Sequence, residues 1–172
     1  MAACSGSPVS PTTQDKSAVA IGSPSSAPSP TPSSSSLEDQ VLVLVNQRRA
    51  SGATCGVTAH PAVAPLTFNL QLRDAARGHS QDMATKNYFS HTSLDGRTPD
   101  QRVRQAGYTG GTIAENIAAG DSTAQAVVDG WMQSTGHCEN IMSGDLRVIG
   151  IGYAFNQSST YSYYWTQNFG GR

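Results

Sequence analysis

The chain reads as an α/β protein, an α-β-α sandwich with a mostly antiparallel central sheet. Three observations predict this. Segments between Ser36 and Trp131 carry helix caps and apolar residues at helical spacing. From Leu146 to Phe155 the period changes to alternation, and both alternating sets are largely apolar apart from Arg147. An aromatic-rich run, Tyr161 to Phe169, returns after the turn residues Asn156 to Thr160. A strand that is apolar on both faces needs cover on both, and the helices supply it.

The elements follow in order. Ser36 caps a first helix, with Glu38 and Asp39 in its first turn and Asp39 at the reach-back position of a capping box. The run Val41 to Val45 alone resembles a strand, but the cap before it and Arg48, Arg49 and Gly52 after it argue helix. His60 to Pro65 is an irregular connector, because two prolines block regular pairing. Asn69 starts a second helix, running to about Lys86, with Leu72, Ala75, Ala76, His79 and Met83 on one face. Thr98-Pro99-Asp100 opens a third, which stops at Gly107. Asp121 or Ser122 caps a fourth that carries Val127, Val128 and Trp131. The alternating run and the aromatic run then form a hairpin.

Residues 1–36 read differently. Ser23 to Ser36 holds only Ser, Pro, Ala and Thr, with no large apolar side chain to offset ordering entropy. This predicts a disordered Ser/Pro-rich tether, followed by one domain over 37–172. Formal net charge is −1. Beyond Arg48-Arg49 there is no basic run, which argues against a nucleic-acid surface. No apolar run reaches the ~18 residues of a membrane span.

The chain has three cysteines. Cys55 and Cys138 lie inside the domain and either pair or remain buried thiols; an exported protein favours the pair. A bond would close a loop of about 80 residues, for which chain-entropy reasoning gives at most roughly 4 kcal/mol. Cys4 is left over. Met1-Ala2-Ala3-Cys4-Ser5-Gly6 resembles the end of a bacterial lipoprotein signal whose cysteine is lipidated, with the leader already cut away.

Four segments read together as one surface: Phe89 to Gly96, Ala114 to Ala118, Gly130 to Met142, and Tyr164 to Gly170. They hold two of the four histidines and a glutamate between apolar neighbours, punctuated by glycine. In this order they resemble the signature of the bacterial branch of the CAP superfamily. That superfamily includes cysteine-rich secretory proteins, venom antigen 5 and plant pathogenesis-related proteins. The resemblance runs from about Leu37 to Gly170 and implies the same sandwich.

It also implies a cleft. His91 and His137 match the family's two cleft histidines, and Glu115 matches its glutamate in the Glu-Asn-Ile/Leu-Ala setting. Asn140 belongs to the second histidine's motif, with hydrogen bonding of the surrounding loop as its implied task. One position departs: animal and plant members carry a second glutamate where this chain has Ser134. The expected ligand-binding set is therefore His91, Glu115, Ser134, His137 and Asn140. His91, Glu115 and His137 are the candidates for any catalysis. Two histidines hold Zn²⁺ only weakly, because zinc sites usually offer three or four protein ligands. Any divalent ion at His91 and His137 is therefore loosely bound and not required. Cys138 beside His137 suggests a Cys/His zinc site less well than a disulfide, because no second metal-ligand spacing accompanies it. His79-Ser80 on the second helix earns no catalytic role, since helical neighbours do not face each other.

The expectation is a monomeric extracytoplasmic binding module, lipid-anchored to a bacterial membrane through Cys4 or secreted. Its cleft would take a small molecule, lipid, glycan or peptide. The alternative is a hydrolase with His91 or His137 as general base toward water. A missing nucleophile and the replaced carboxylate weigh against that.

Overall fold

A computed structural model describes residues 36–171 of the chain. Cys4 and the tether predicted for 1–36 lie outside the described residues, apart from Ser36.

Helix α1, Leu37–Ser51, begins in a complete capping box: Asp39 N–H donates to the Ser36 hydroxyl, and Ser36 N–H donates to the Asp39 carboxylate. Its valine-rich run is helical because Val41, Val45 and Arg49 fall on one buried stripe. Strands β1, Ala53–Cys55, and β2, Thr58–His60, form a small antiparallel hairpin that the sequence did not announce. His60 therefore ends a strand, and the irregular connector starts at Pro61. Cys55 is bonded to Cys138, with Cα atoms 5.5 Å apart.

Strand β3, Thr67–Phe68, precedes α2, Leu70–Lys86, which Asn69 caps by accepting from Leu72 N–H. The predicted face of α2 is the buried one: Leu72, Ala75, Ala76, His79 and Met83. Helix α3, Pro99–Gln105, has its own capping box between Thr98 and Gln101. Strand β4, Ile113–Ala119, follows. Helix α4, Ala124–Gln133, is capped by Thr123, not by Asp121 or Ser122 as expected: Ala126 N–H reaches the Thr123 hydroxyl. A further helix, α5, Thr135–Met142, stands where a loop was expected. Strands β5, Leu146–Phe155, and β6, Tyr163–Gly171, form the predicted hairpin.

The main sheet has the order β3-β5-β6-β4. Only the β3–β5 pair is parallel, so the sheet is mostly antiparallel, as predicted. On one face Ile149, Ile151, Trp165 and Phe169 join Val41, Val45, Val127, Val128, Trp131 and Ile141 in a continuous apolar core. On the other face α2 lies so close that β5 has no room for a side chain at positions 150 and 152. A Cβ on Gly150 would sit 1.9 Å from Arg73 N, and one on Gly152 would sit 2.2 Å from Ala76 C. An irregularity between Leu146 and Val148 breaks the alternation. Leu146 consequently packs in the large core, while Val148 packs on the opposite cluster.

Candidate functional site

Strand β4 is an edge of the sheet. Its residues alternate between the two faces, so Glu115 points toward the α2 side and Asn116 toward the α5 side. The Glu115 side chain is only 2% exposed, and each of its oxygens is engaged. Arg102 of α3 donates from Nη2 to Oε2 at 2.6 Å. His91 Nδ1 lies 2.9 Å from Oε1. The Asn168 amide, oriented so that donors meet acceptors, donates to Oε2 at 3.1 Å and accepts from Ala76 N–H at 3.1 Å. A buried carboxylate needs such compensation.

This arrangement determines which ring nitrogen of His91 faces the carboxylate. A carboxylate only accepts, so the imidazole donates from Nδ1. In the neutral ring, Nε2 is left with its lone pair on a side chain that is 50% exposed. The loop carrying His91 is pinned at both ends. His79 of α2 donates from Nε2 to the Ser90 carbonyl at 3.0 Å. Burial lowers the His79 pKa to about 4, with the Arg102 charge adding to the effect, so this ring is neutral. On the other side Arg102 donates from Nη1 to Ser93 Oγ at 3.1 Å and to the Arg97 carbonyl at 3.0 Å. Arg102 thus ties the loop, α3 and β4 together.

His137 sits on α5, half-buried. Burial lowers its pKa, and the nearby charge of His91 lowers it further. It lines a cavity of about 310 Å³ with Ser134, Trp131, Ile117, Phe89 and Tyr161. His91 and Glu115 line a neighbouring cavity of about 410 Å³ with Thr98 and Asp100. The walls of both cavities include residues of β4.

Helix α5 is held from several directions. Asn140 donates to Asn116 Oδ1 at 2.9 Å, and Asn116 donates to the His137 carbonyl at 3.2 Å. Asn140 therefore braces a helix against β4, not a loop. Trp131 Nε1 donates to the Ile117 carbonyl at 3.2 Å, joining α4 to the same strand. Cys138 secures α5 to β1 through the disulfide. Arg49, fully buried, donates to the Ile141 carbonyl at 2.6 Å and to the Ser143 carbonyl at 2.9 Å, which satisfies the C-terminal end of α5. Burial lowers the Arg49 pKa to about 10, and Arg147 contributes.

The structure thus brings His91 and Glu115 into direct contact and sets His137 within electrostatic reach of His91. Ser134 lines the same cavity as His137. Glu139 is exposed. Sequence reasoning missed Arg102 and set His79 aside. Arg102 meets its carboxylate thirteen residues away and His79 its carbonyl eleven residues away, so no local pattern marks either. Among the described residues, no group of three or more His, Cys, Asp or Glu is arranged to hold a metal ion. The disulfide removes Cys138 as a zinc ligand. No helix among the described residues is long and apolar enough to cross a membrane.

Comparison with known proteins gives a consistent result. The model of the cysteine-rich secretory protein family, CAP, matches residues 42–169. The uncharacterized protein YkwD of Bacillus subtilis (strain 168) is 34% identical over 162 residues, covering 94% of this chain and 55% of that one. An extracellular protein containing an SCP domain from Bacillus anthracis str. Ames superposes with a TM-score of 0.65 at 30% identity, over 79% of this chain and 40% of that one. An outer surface protein from Borrelia burgdorferi has a TM-score of 0.62 at 20% identity, over 79% of this chain and 90% of that one, and shares the fold. The chain therefore spans about half the length of YkwD.

Proposed function

The chain belongs to the cysteine-rich secretory protein (CAP) family, and on that premise we propose that it is an extracytoplasmic binding module. Its cleft takes a small molecule, lipid, glycan or peptide. The observation that carries this reading is the Arg102–Glu115–His91 clamp. Glu115 is occupied by a guanidinium and an imidazole, so its work is to orient His91, not to move protons itself. His91 presents Nε2 in a fixed orientation, Ser134 offers a hydroxyl, and the apolar walls at Ile117, Trp131, Phe89 and Tyr161 supply contact area.

A second reading, hydrolysis, draws on the same clamp. An imidazole whose Nδ1 is held by a carboxylate is poised as a general base at Nε2. Against it stand Ser134 in place of a second carboxylate and the commitment of Glu115 to Arg102. A resident metal does not fit this donor set. Two imidazoles without a third free ligand bind a divalent ion weakly, and less as pH falls and they protonate.

Localisation outside the cytoplasm draws on the disulfide, which persists in oxidising compartments, and on the extracellular and outer-surface relatives. Attachment through a lipid on Cys4, with 1–36 as spacer, completes the proposal; the mass of Cys4 in protein from the native source tests it.

The deciding experiment assays the purified protein against peptide, ester and cell-wall substrates, with His137→Ala as control. The expected result is no turnover, together with co-purification from the native source of a molecule that His137→Ala no longer retains. Turnover abolished by His137→Ala would replace the binding reading with the hydrolase. Zn²⁺ calorimetry on wild type and His91→Ala tests the metal, and equal affinity removes His91 from any ion site.

A further inference from the structure

The cavity of about 310 Å³ that His137 lines has one carboxylate in its wall, Asp121, and no lysine or arginine among the described residues. Trp165 Nε1 donates to the Asp121 backbone carbonyl at 2.7 Å, which fixes the residue. Within the described residues no ion pair or hydrogen bond engages the Asp121 carboxylate. It stands beside Gly130, which lines the same cavity: a Cβ on Gly130 would meet only Asp121 Oδ2, at 3.8 Å. Glycine is a poor residue inside a helix, and α4 continues past Gly130 to Gln133. Neither a positive φ nor a close backbone approach requires it there. Its bare Cα keeps the space next to the carboxylate open.

Two accessible aromatic rings share this cavity. Phe89 and Tyr161 are 44% and 46% exposed, with ring centroids 5.9 Å apart and planes inclined at 60°. Ser162, next in the chain, has φ 61°, a left-handed conformation that a non-glycine residue keeps only where its surroundings impose it. This turn sends Tyr161 to Phe89, while Tyr163 stays in β6 against Phe155. Burial and the charge of His91 lower the His137 pKa, so His137 adds no positive charge to the cavity at neutral pH. A carboxylate repels anions, and aromatic faces attract cations. A primary ammonium brings three N–H donors that each need an acceptor, whereas a quaternary ammonium needs none.

We propose that this cavity receives a quaternary ammonium group, with Asp121 as its counter-ion and Phe89 and Tyr161 as its aromatic wall. The inference rests on the cleft being a binding site and names the chemical class of its ligand. The group comes from a free solute such as choline or from a lipid headgroup that carries it. An anionic or purely apolar ligand would desolvate the Asp121 carboxylate and leave it without a partner.

The test titrates the ¹⁵N-labelled full chain with choline, with dimethylbutanol as its uncharged carbon isostere, and with n-butylammonium. Choline is expected to give saturable shifts of the Gly130 amide and to bind at least about tenfold more tightly than either control. Asp121→Asn keeps the backbone carbonyl for Trp165 and should weaken choline by about the same factor. Gly130→Leu fills the space beside the carboxylate and suits the helix better than glycine, so it should abolish binding in a folded protein. Equal affinity for the isostere overturns the proposal. So does tighter binding of butylammonium, unchanged affinity in either variant, or no saturation by choline. Glycerophosphocholine separates the sources: binding as tight as choline or tighter assigns the site to lipid headgroups, and weaker binding assigns it to the free solute. Choline saturation in a protein that also turns over a substrate would sink the binding-module reading and leave this site standing. No saturation, alongside a neutral molecule retained from the native source, would do the reverse.

Discussion

The face of the sheet toward α1, α4 and α5 is filled by Ile149, Ile151, Trp165 and Phe169. The face toward α2 presents Gly150, Gly152, Thr166 and Asn168. The first face is a continuous apolar core, stapled by a disulfide that closes a separation of 83 residues. The second has only small apolar clusters and is held by polar contacts: Ser80 to Thr166 at 2.8 Å, His79 to Ser90, and Arg102 to Glu115. Apolar contacts are additive and forgiving; hydrogen bonds and backbone-to-backbone packing are directional and are not. The cleft lies along β4, where the two kinds of construction meet. Its His91–Glu115 half depends on the polar face, and its His137 half on the apolar face and the disulfide.

The largest effect should come from breaking the polar face at the charged tie between Arg102 and Glu115 Oε2. Arg102→Met leaves a carboxylate buried without its cation and should cost about 4 kcal/mol in urea unfolding. Adding Glu115→Gln should recover part of the loss, because the unpaired charge is gone. A loss below about 1 kcal/mol would mean that the clamp does not hold this face together.

Gly150→Ala comes next. One methyl group meets the α2 backbone, which cannot rotate away, and the cost should be about 3 kcal/mol. A neutral result would show that α2 can shift outward and that the close contact is not required.

The third test uses acid. His79 has a folded pKa of about 4 against an ordinary value of 6.5, so the unfolded chain takes up its proton first as pH falls. Its contribution to stability is complete above about 6.5 and is lost progressively down to about 4, a total on the order of 3 kcal/mol. His137, also lowered, adds a loss of the same sign. His79→Gln keeps a donor for the Ser90 carbonyl but does not titrate, and should flatten the slope of stability between those pH values. An unchanged slope would assign acid sensitivity to other groups.

The smallest effect is on the apolar face. Ile149→Val, next to Gly150 in the same strand, should cost about 1 kcal/mol and leave the His91 ring signals unmoved. A loss comparable to that of Gly150→Ala would erase the distinction between the faces.

Much of the fold was legible because its signals are local. A capping box is written in four consecutive residues, as at Ser36–Asp39 and Thr98–Gln101. The stripe of α2 and the two-sided alternation of β5 are periodicities, and they predicted both the burial and the sandwich. The four motifs in order also named the family. The elements that escaped are short or ambiguous. Helix α5 contains Gly136 and has no side-chain cap, and β4 carries Glu115 and Asn116 at its centre, which argues against a strand until their partners are known.

The amino-acid sequence by itself therefore determined which segments are helix or strand where spacing is regular, which faces are buried, and which two cysteines would pair. Tertiary structure alone decided that Glu115 is spent on Arg102, that His79 supports His91 from behind, and that Asn140 braces a helix. Each of these depends on a distance between side chains 11 to 24 residues apart in the chain, closed by the packing of α2, α3 and α5 around β4. Periodicity reports which side of its own element a residue faces. It carries no information about which residue of another element will stand opposite.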